Sequence, residues 1–121
     1  MVQRELLDDI EKLAKRRGYT VKKVGEAVRL VHSEAPLYVE VVETSRGIAV
    51  RIGYEGLKDY IREIVDTEAD PRSYIEELLD DLTALAHEVY DAVRRRGLPA
   101  RLEAREAVMD VLEELEEAEE E

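Results

Sequence analysis

The stretch "HEVYD", residues 87–91, is the part of this chain that looks most like metal chemistry. On a helix, residues four apart share a face, so His87 and Asp91 can touch a single ion. Glu88 stands where the general base stands in the His-Glu-x-x-His pattern of zinc metalloproteases. A catalytic zinc wants three protein ligands in a sheltered cleft. The only other histidine, His32, falls near the end of a strand with no spacing that links it to residues 87–91, and there is no cysteine. His87 and Asp91 are therefore expected to be solvated positions on the wet side of a helix. No metal, no cofactor and no catalytic residue is assigned.

A second possible metal set is the acid pairs Glu77-x-x-Asp80, Glu88-x-x-Asp91 and Glu103-x-x-Glu106. Their spacing resembles the paired acidic helices by which all-α nucleotide pyrophosphatases bind magnesium. Those proteins point the acids into a bundle, whereas here the acids fall mostly away from the apolar stripe. The cations form two groups. Arg94, Arg95 and Arg96 cluster in "RRRGLPAR", where arginines complement the negative end of a helix dipole. Lys22, Arg29 and Arg51 share one strand face with Tyr38, an arrangement able to stack single-stranded nucleic acid. Glu40 sits between Arg29 and Arg51, as a cross-strand ion-pair ladder requires. These six cations are the candidate anion contacts.

The formal net charge of −12 opposes long-range attraction to nucleic acid or to an anionic membrane. Neither is the expected partner, and a nucleic-acid accessory role through Lys22, Arg29 and Arg51 is the alternative reading. "EELEEAEEE" carries seven of the thirty carboxylates, and residues 116–121 are expected to fray as an acidic tail. Charged residues make up 40% of the chain, Asn is absent, Gln3 is the only Gln, and Arg outnumbers Lys. Few heat-labile amides together with many ion-pairing groups point to a thermophilic source. The first residues are charged at every turn, and no window approaches the roughly 18–20 apolar residues of a membrane span. A cytoplasmic protein is expected.

Periodicity supplies the elements that hold these residues. Val2, Leu6, Leu7, Ile10, Leu13 and Ala14 recur at helical spacing, with Gly18 as the stop. The period then becomes two: "YTVKKV", "AVRLVH", "LYVEVVE" and "IAVRIGY" read as strands, the first two joined by a type II′ turn at Gly25-Glu26. Pairing Leu30 with Val39 puts Val28 opposite Val41. Pairing Val39 with Ile52 puts Val41 opposite Val50 and Glu43 opposite Ile48, so one antiparallel meander satisfies every register. "EGLKDYIREIVDTE" is the next helix. Asp70 caps a longer one that starts at Pro71 and runs to Arg96. Gly97 and Pro99 break it, and a last helix is expected from about Ala100.

The expected fold is α+β: a helix, a four-stranded antiparallel meander and a helix (1–68), then a helical hairpin with one long helix (70–118). The element order loosely resembles secretion-chaperone-like folds, and topology of that kind implies no activity. Along the long helix Ile75, Leu82 and Val89 repeat every seven residues, with Leu78, Leu85, Ala86 and Val93 widening the stripe. The shorter helix after it, with Val108, Val111 and Leu115, cannot cover the whole stripe. The outer sheet face, with Val24, Val31, Tyr38 and Val42, is also too apolar to be wholly wet. Exposed apolar surface of that extent implies a partner, and the default partner of a small protein is itself. The expectation is a non-enzymatic adaptor or chaperone-like homodimer, open to other protein partners, whose interface comprises Ile75, Leu78, Leu82, Leu85, Ala86, Val89, Val93, Val108, Val111 and Leu115.

Overall fold

The computed structural model describes residues 3–120; Val2, at the start of the first helical stripe, and Glu121, at the end of the acidic tail, lie outside the described residues. The order is α1 (Arg4–Arg16), β1 (Thr20–Val24), β2 (Ala27–Val31), β3 (Leu37–Thr44), β4 (Gly47–Tyr54), α2 (Leu57–Thr67), α3 (Pro71–Arg95), β5 (Ala100–Glu103) and α4 (Arg105–Glu120). The five strands form one sheet in the order β1-β2-β3-β4-β5. The first four are an antiparallel meander, and Val28 opposite Val41, Leu30 opposite Val39, Val39 opposite Ile52 and Glu43 opposite Ile48 all follow the alternation in the sequence. The positive φ of the first hairpin falls on Gly25 alone, as a type II′ turn requires.

The fifth strand corrects the expected fold. β5 pairs in parallel with β4, so the chain after α3 is a strand and then a helix, not a helical hairpin, and α4 begins at Arg105 and not near Ala100. The α2–α3 segment is thus the crossover that parallel pairing needs. Pro99 ends the turn, and its carbonyl accepts from Ile48 N at 2.9 Å, the first rung of the new pair.

Local chemistry sets the ends of α3. The Asp70 side chain accepts from Ser73 N at 3.1 Å, and Pro71 takes the first helical position. At the other end Gly97, at φ 77, lets Leu98 N reach Val93 O while its own N–H reaches Arg94 O, closing a Schellman motif. α1 ends in the same way through Gly18 and Tyr19.

The core corrects the expected interface. Ile75, Leu82, Leu85, Ala86, Val89, Val93, Val111 and Leu115 are wholly buried within the single chain, Leu78 nearly so, and Val108 half so. The stripe on α3 is broad because it has two covers. One side lies on β3, β4 and β5, and the other takes α1, whose Leu6, Ile10 and Ala14 repeat every four residues. α4 packs against α2 instead. These residues are therefore core, not a surface for a second chain. α4 is helical through Glu120, with Ala118 half-buried and Glu119 paired to Arg72.

Candidate functional site

Strand alternation gives the sheet two unlike faces. One carries Val28, Leu30, Val39, Val41, Val50 and Ile52, all buried under the helices. None of the described helices lies over the other, and the registers arrange its residues in three rows across the strands. The middle row is Lys22, Arg29, Glu40, Arg51 and Glu103, one from each strand. On one side of it run Thr20, Val31, Tyr38 and Gly53, and on the other Val24, Ala27, Val42, Ala49 and Arg101.

From Arg29 to Glu103 the middle row is a continuous ion-pair ladder. Arg29 Nε donates to Glu40 at 2.9 Å, Arg51 lies 3.9 Å from the second Glu40 oxygen, and Arg51 Nε donates to Glu103 at 2.7 Å. Glu55 and Arg101 add a partner near each end, at 3.0 Å from Arg29 and 3.2 Å from Glu103. The hydrogen bond to Glu40 raises the Arg29 pKa above its ordinary value. Its guanidinium also stacks on the Tyr38 ring, 4.3 Å from the centroid. That ring lies against Gly53, where a Cβ would come within 2.5 Å of it. Tyr38 is thus held flat between a glycine and an arginine, and burial raises its phenol pKa. Lys22, at the β1 end, is exposed and has no ion-pair partner among the described residues.

The other candidates are placed differently. His87 and Asp91 are exposed, as the helical pattern requires. Glu88 is committed elsewhere: Arg17 Nε donates to it at 2.8 Å while Arg17 Nη1 donates to Asp81 at 2.8 Å. Tyr19 donates to the second Asp81 oxygen at 2.7 Å, and burial pushes its pKa well up. The would-be general base is therefore part of a clamp joining α1 to α3. Glu103 of the acid pairs belongs to the ladder, and among the described residues no three His, Asp or Glu side chains come together as metal ligands. Of the arginine cluster, Arg96 donates to Asp9 at 2.8 Å and to Glu5 at 3.1 Å, a second α1–α3 clamp that holds the Asp9 carboxyl below its ordinary range. Arg94 lies over Tyr90, and Arg95 is exposed. The three arginines do not converge on one anion site.

Sequence reasoning missed a cleft of about 570 Å³ where β4 and β5 end and α4 begins, lined by Arg51, Tyr54, Glu103, Arg105, Glu106 and Asp110 among others. Tyr54 donates to Asp110 at 2.8 Å across it, and that bond raises the Tyr54 pKa. The cleft could not be foreseen without β5, which brings Glu103 and Arg105 to the end of β4. Its lining mixes both signs of charge and holds no Ser, Thr, Cys, His or Lys side chain. Among the described residues no helix is long and apolar enough to cross a membrane. No family model, no curated protein and no solved structure matches the chain.

Proposed function

We propose that this chain is a non-enzymatic protein-interaction module, adaptor-like or chaperone-like, that docks its partner on the open face of the sheet. One observation carries the proposal: the helices take up their apolar stripes within the chain, while the sheet leaves Val24, Val31, Tyr38 and Val42 at least partly exposed on either side of a fixed charge ladder. Val24, at 43% exposure, is one of two large exposed apolar side chains among the described residues. Tyr38 is rigid and amphipathic, the kind of side chain enriched at interface centres. The ladder suits burial under a partner because each of its arginines and carboxylates already has an opposite charge beside it.

The same pairing weighs against the nucleic-acid alternative. A phosphate would have to displace Glu40, Glu55 or Glu103 before Arg29 or Arg51 could reach it, in a chain of net charge −12. The proposed setting is the cytoplasm of a heat-adapted organism. Cross-element ion pairs support the heat adaptation: Arg17 and Arg96 join α1 to α3, Arg72 joins α3 to α4, and the ladder spans the sheet.

A photo-crosslinking residue, p-benzoylphenylalanine, placed at position 38 tests the docking face, with the same residue at position 91 as control. Position 38 should give discrete protein adducts that an excess of the unmodified protein suppresses, and position 91 should give none. Equal adduct patterns from the two positions, or adducts that do not saturate, would overturn the assignment.

A further inference from the structure

We infer that the free edge of β1 takes up an extended peptide segment as a further strand, one that carries two adjacent acidic residues between two apolar ones. This edge is separate from the open face, so the inference goes beyond the docking proposal and does not rest on it. The sheet ends at β1, which has β2 on one side only. The ladder itself shows which backbone groups are left over. His32 N donates to Leu37 O at 3.0 Å, one step past the end of β2, so Leu30 and Val28 also bond toward β3. Val31, Arg29 and Ala27 then bond toward β1, where their partners are Thr20, Lys22 and Val24. The N–H and C=O of Val21 and Lys23 therefore point away from the sheet, and no described residue bonds to them. Unused donors and acceptors in one line are what an added strand needs.

The side chains along the edge decide what kind of segment fits. From Val21 to Val24 they read Val-Lys-Lys-Val, the same in both directions. Lys22 and Lys23 are exposed on opposite faces of the strand, and neither has an ion-pair partner among the described residues. A neighbouring strand thus meets a cation on each face, flanked by the half-buried Val21 and the exposed Val24. The complement is apolar-acidic-acidic-apolar, whichever way the added strand runs. Lys23 also lines a cleft of about 500 Å³ between the start of α1 and the β1–β2 turn, with Leu7 and Val28 as apolar walls. Glu26 is outnumbered in that lining by Arg4 and Lys23. A glutamate opposite Lys23 suits the cleft, since its stem can lie along the apolar walls while its carboxylate reaches the cations.

The same residues turn away other occupants. The antiparallel register that pairs the whole of β1 with a second β1 sets Lys22 directly against Lys22, in the closely spaced kind of pair. Nucleic acid would meet the cations, but it has no alternating N–H and C=O groups for Val21 and Lys23. The chain as a whole is acidic, at net −12, yet charges beyond about 10 Å are largely screened at 0.1 M salt. Within that range Arg4, Lys22 and Lys23 set the field at the edge.

A synthetic peptide with blocked ends, Val-Glu-Glu-Val at its centre and Thr on either side, makes the test against the isotope-labelled full chain. With the peptide at about 1 mM, hydrogen exchange at the Val21 and Lys23 amides should slow about tenfold, and more than at any amide of β3 or β4. The same peptide N-methylated along its centre keeps its charges, cannot donate to the edge, and should lose the effect. A Val-Lys-Lys-Val peptide should have none. Reversing both lysines, Lys22→Glu with Lys23→Glu, should weaken binding of the acidic peptide about tenfold. Both positions are exposed on an edge strand, and circular dichroism checks that the variant is folded. Unchanged exchange at Val21 and Lys23 would overturn the inference. So would an equal response to the N-methylated peptide, which would reduce the contact to charge attraction, or an equal response to the lysine peptide. Photo-adducts from position 38 report on the open face whatever the outcome at the edge, so the two claims fail separately.

Discussion

Leu82→Ala asks whether the stripe on α3 is covered by its own chain. Leu82 is wholly buried in the centre of the helix, between the sheet and α1. Truncation removes three carbons, about 2.4 kcal/mol of transfer free energy at about 0.8 kcal/mol each. The cavity left behind adds more, which brings the expected cost to about 3 to 4 kcal/mol. For a chain of 121 residues the unfolding entropy is about 0.25 kcal/mol per kelvin, so the midpoint should fall by about 12 °C or slightly more. Urea denaturation followed by far-ultraviolet circular dichroism at about 1 µM and about 100 µM gives the assay. The loss should be the same at both concentrations, because no second chain touches Leu82. A loss below about 1 kcal/mol, or one that shrinks as the protein is diluted, would refute intramolecular cover and return α3 to an interface.

Three further outcomes follow from particular contacts. Gly47→Ala would bring a Cβ within 2.5 Å of the Pro99 carbonyl, at a backbone φ of 119°. It should cost about 2 kcal/mol or more and speed hydrogen exchange at Ile48 N, the amide bonded to Pro99, ahead of amides in β2 and β3. Arg17→Met cuts the clamp to Asp81 and Glu88, and because all three side chains are about a third exposed the loss should be screened to about 1 kcal/mol in urea titrations. The pH profile should fall on both sides. The folded Asp9 pKa lies below its ordinary value of 3.8, so its stabilisation is full above that pH and is lost as pH drops through the folded value, a loss that Asp9→Asn should reduce. The folded Tyr19 pKa lies above 10, so its contribution is full below pH 10 and is lost above it, and Tyr19→Phe should flatten that alkaline limb.

The meander was legible because β2 and β3 alternate and Ile48, Val50 and Ile52 keep the same period in β4, and a one-residue slip would have turned Val39 and Val41 to solvent. β5 was not legible. "ARLE" is four good helix formers in a row, and what makes it a strand is tertiary: the free edge of β4 and the Pro99 carbonyl facing Ile48 N. The period-two burial of Ala100 and Leu102 was present in the sequence, though two half-buried positions make a weak pattern beside the strong helical run that follows.

The stripe on α3 was read correctly residue by residue, and its cover was not. Periodicity shows which face of a helix is buried and is silent on what buries it, so the sheet and α1 did not enter the comparison with the short final helix. On the open face the ladder Lys22, Arg29, Glu40 and Arg51 could be read from register alone, because β-pairing converts sequence alternation directly into neighbours. Glu103 could not be added without β5. Nor could the partner of Glu88 be foreseen: Arg17 lies 71 positions away in sequence, and only the antiparallel packing of α1 on α3 brings them together.

A soluble paramagnetic relaxation agent, with methyl signals of the valines followed by nuclear magnetic resonance over a dilution series, tests the central claim most directly. In dilute solution the methyls of Val24, Val31 and Val42 should relax fast, while those of Val89 and Val93 should be shielded. Fast relaxation at Val89 and Val93, or slow relaxation at all three sheet valines in dilute solution, would contradict the account.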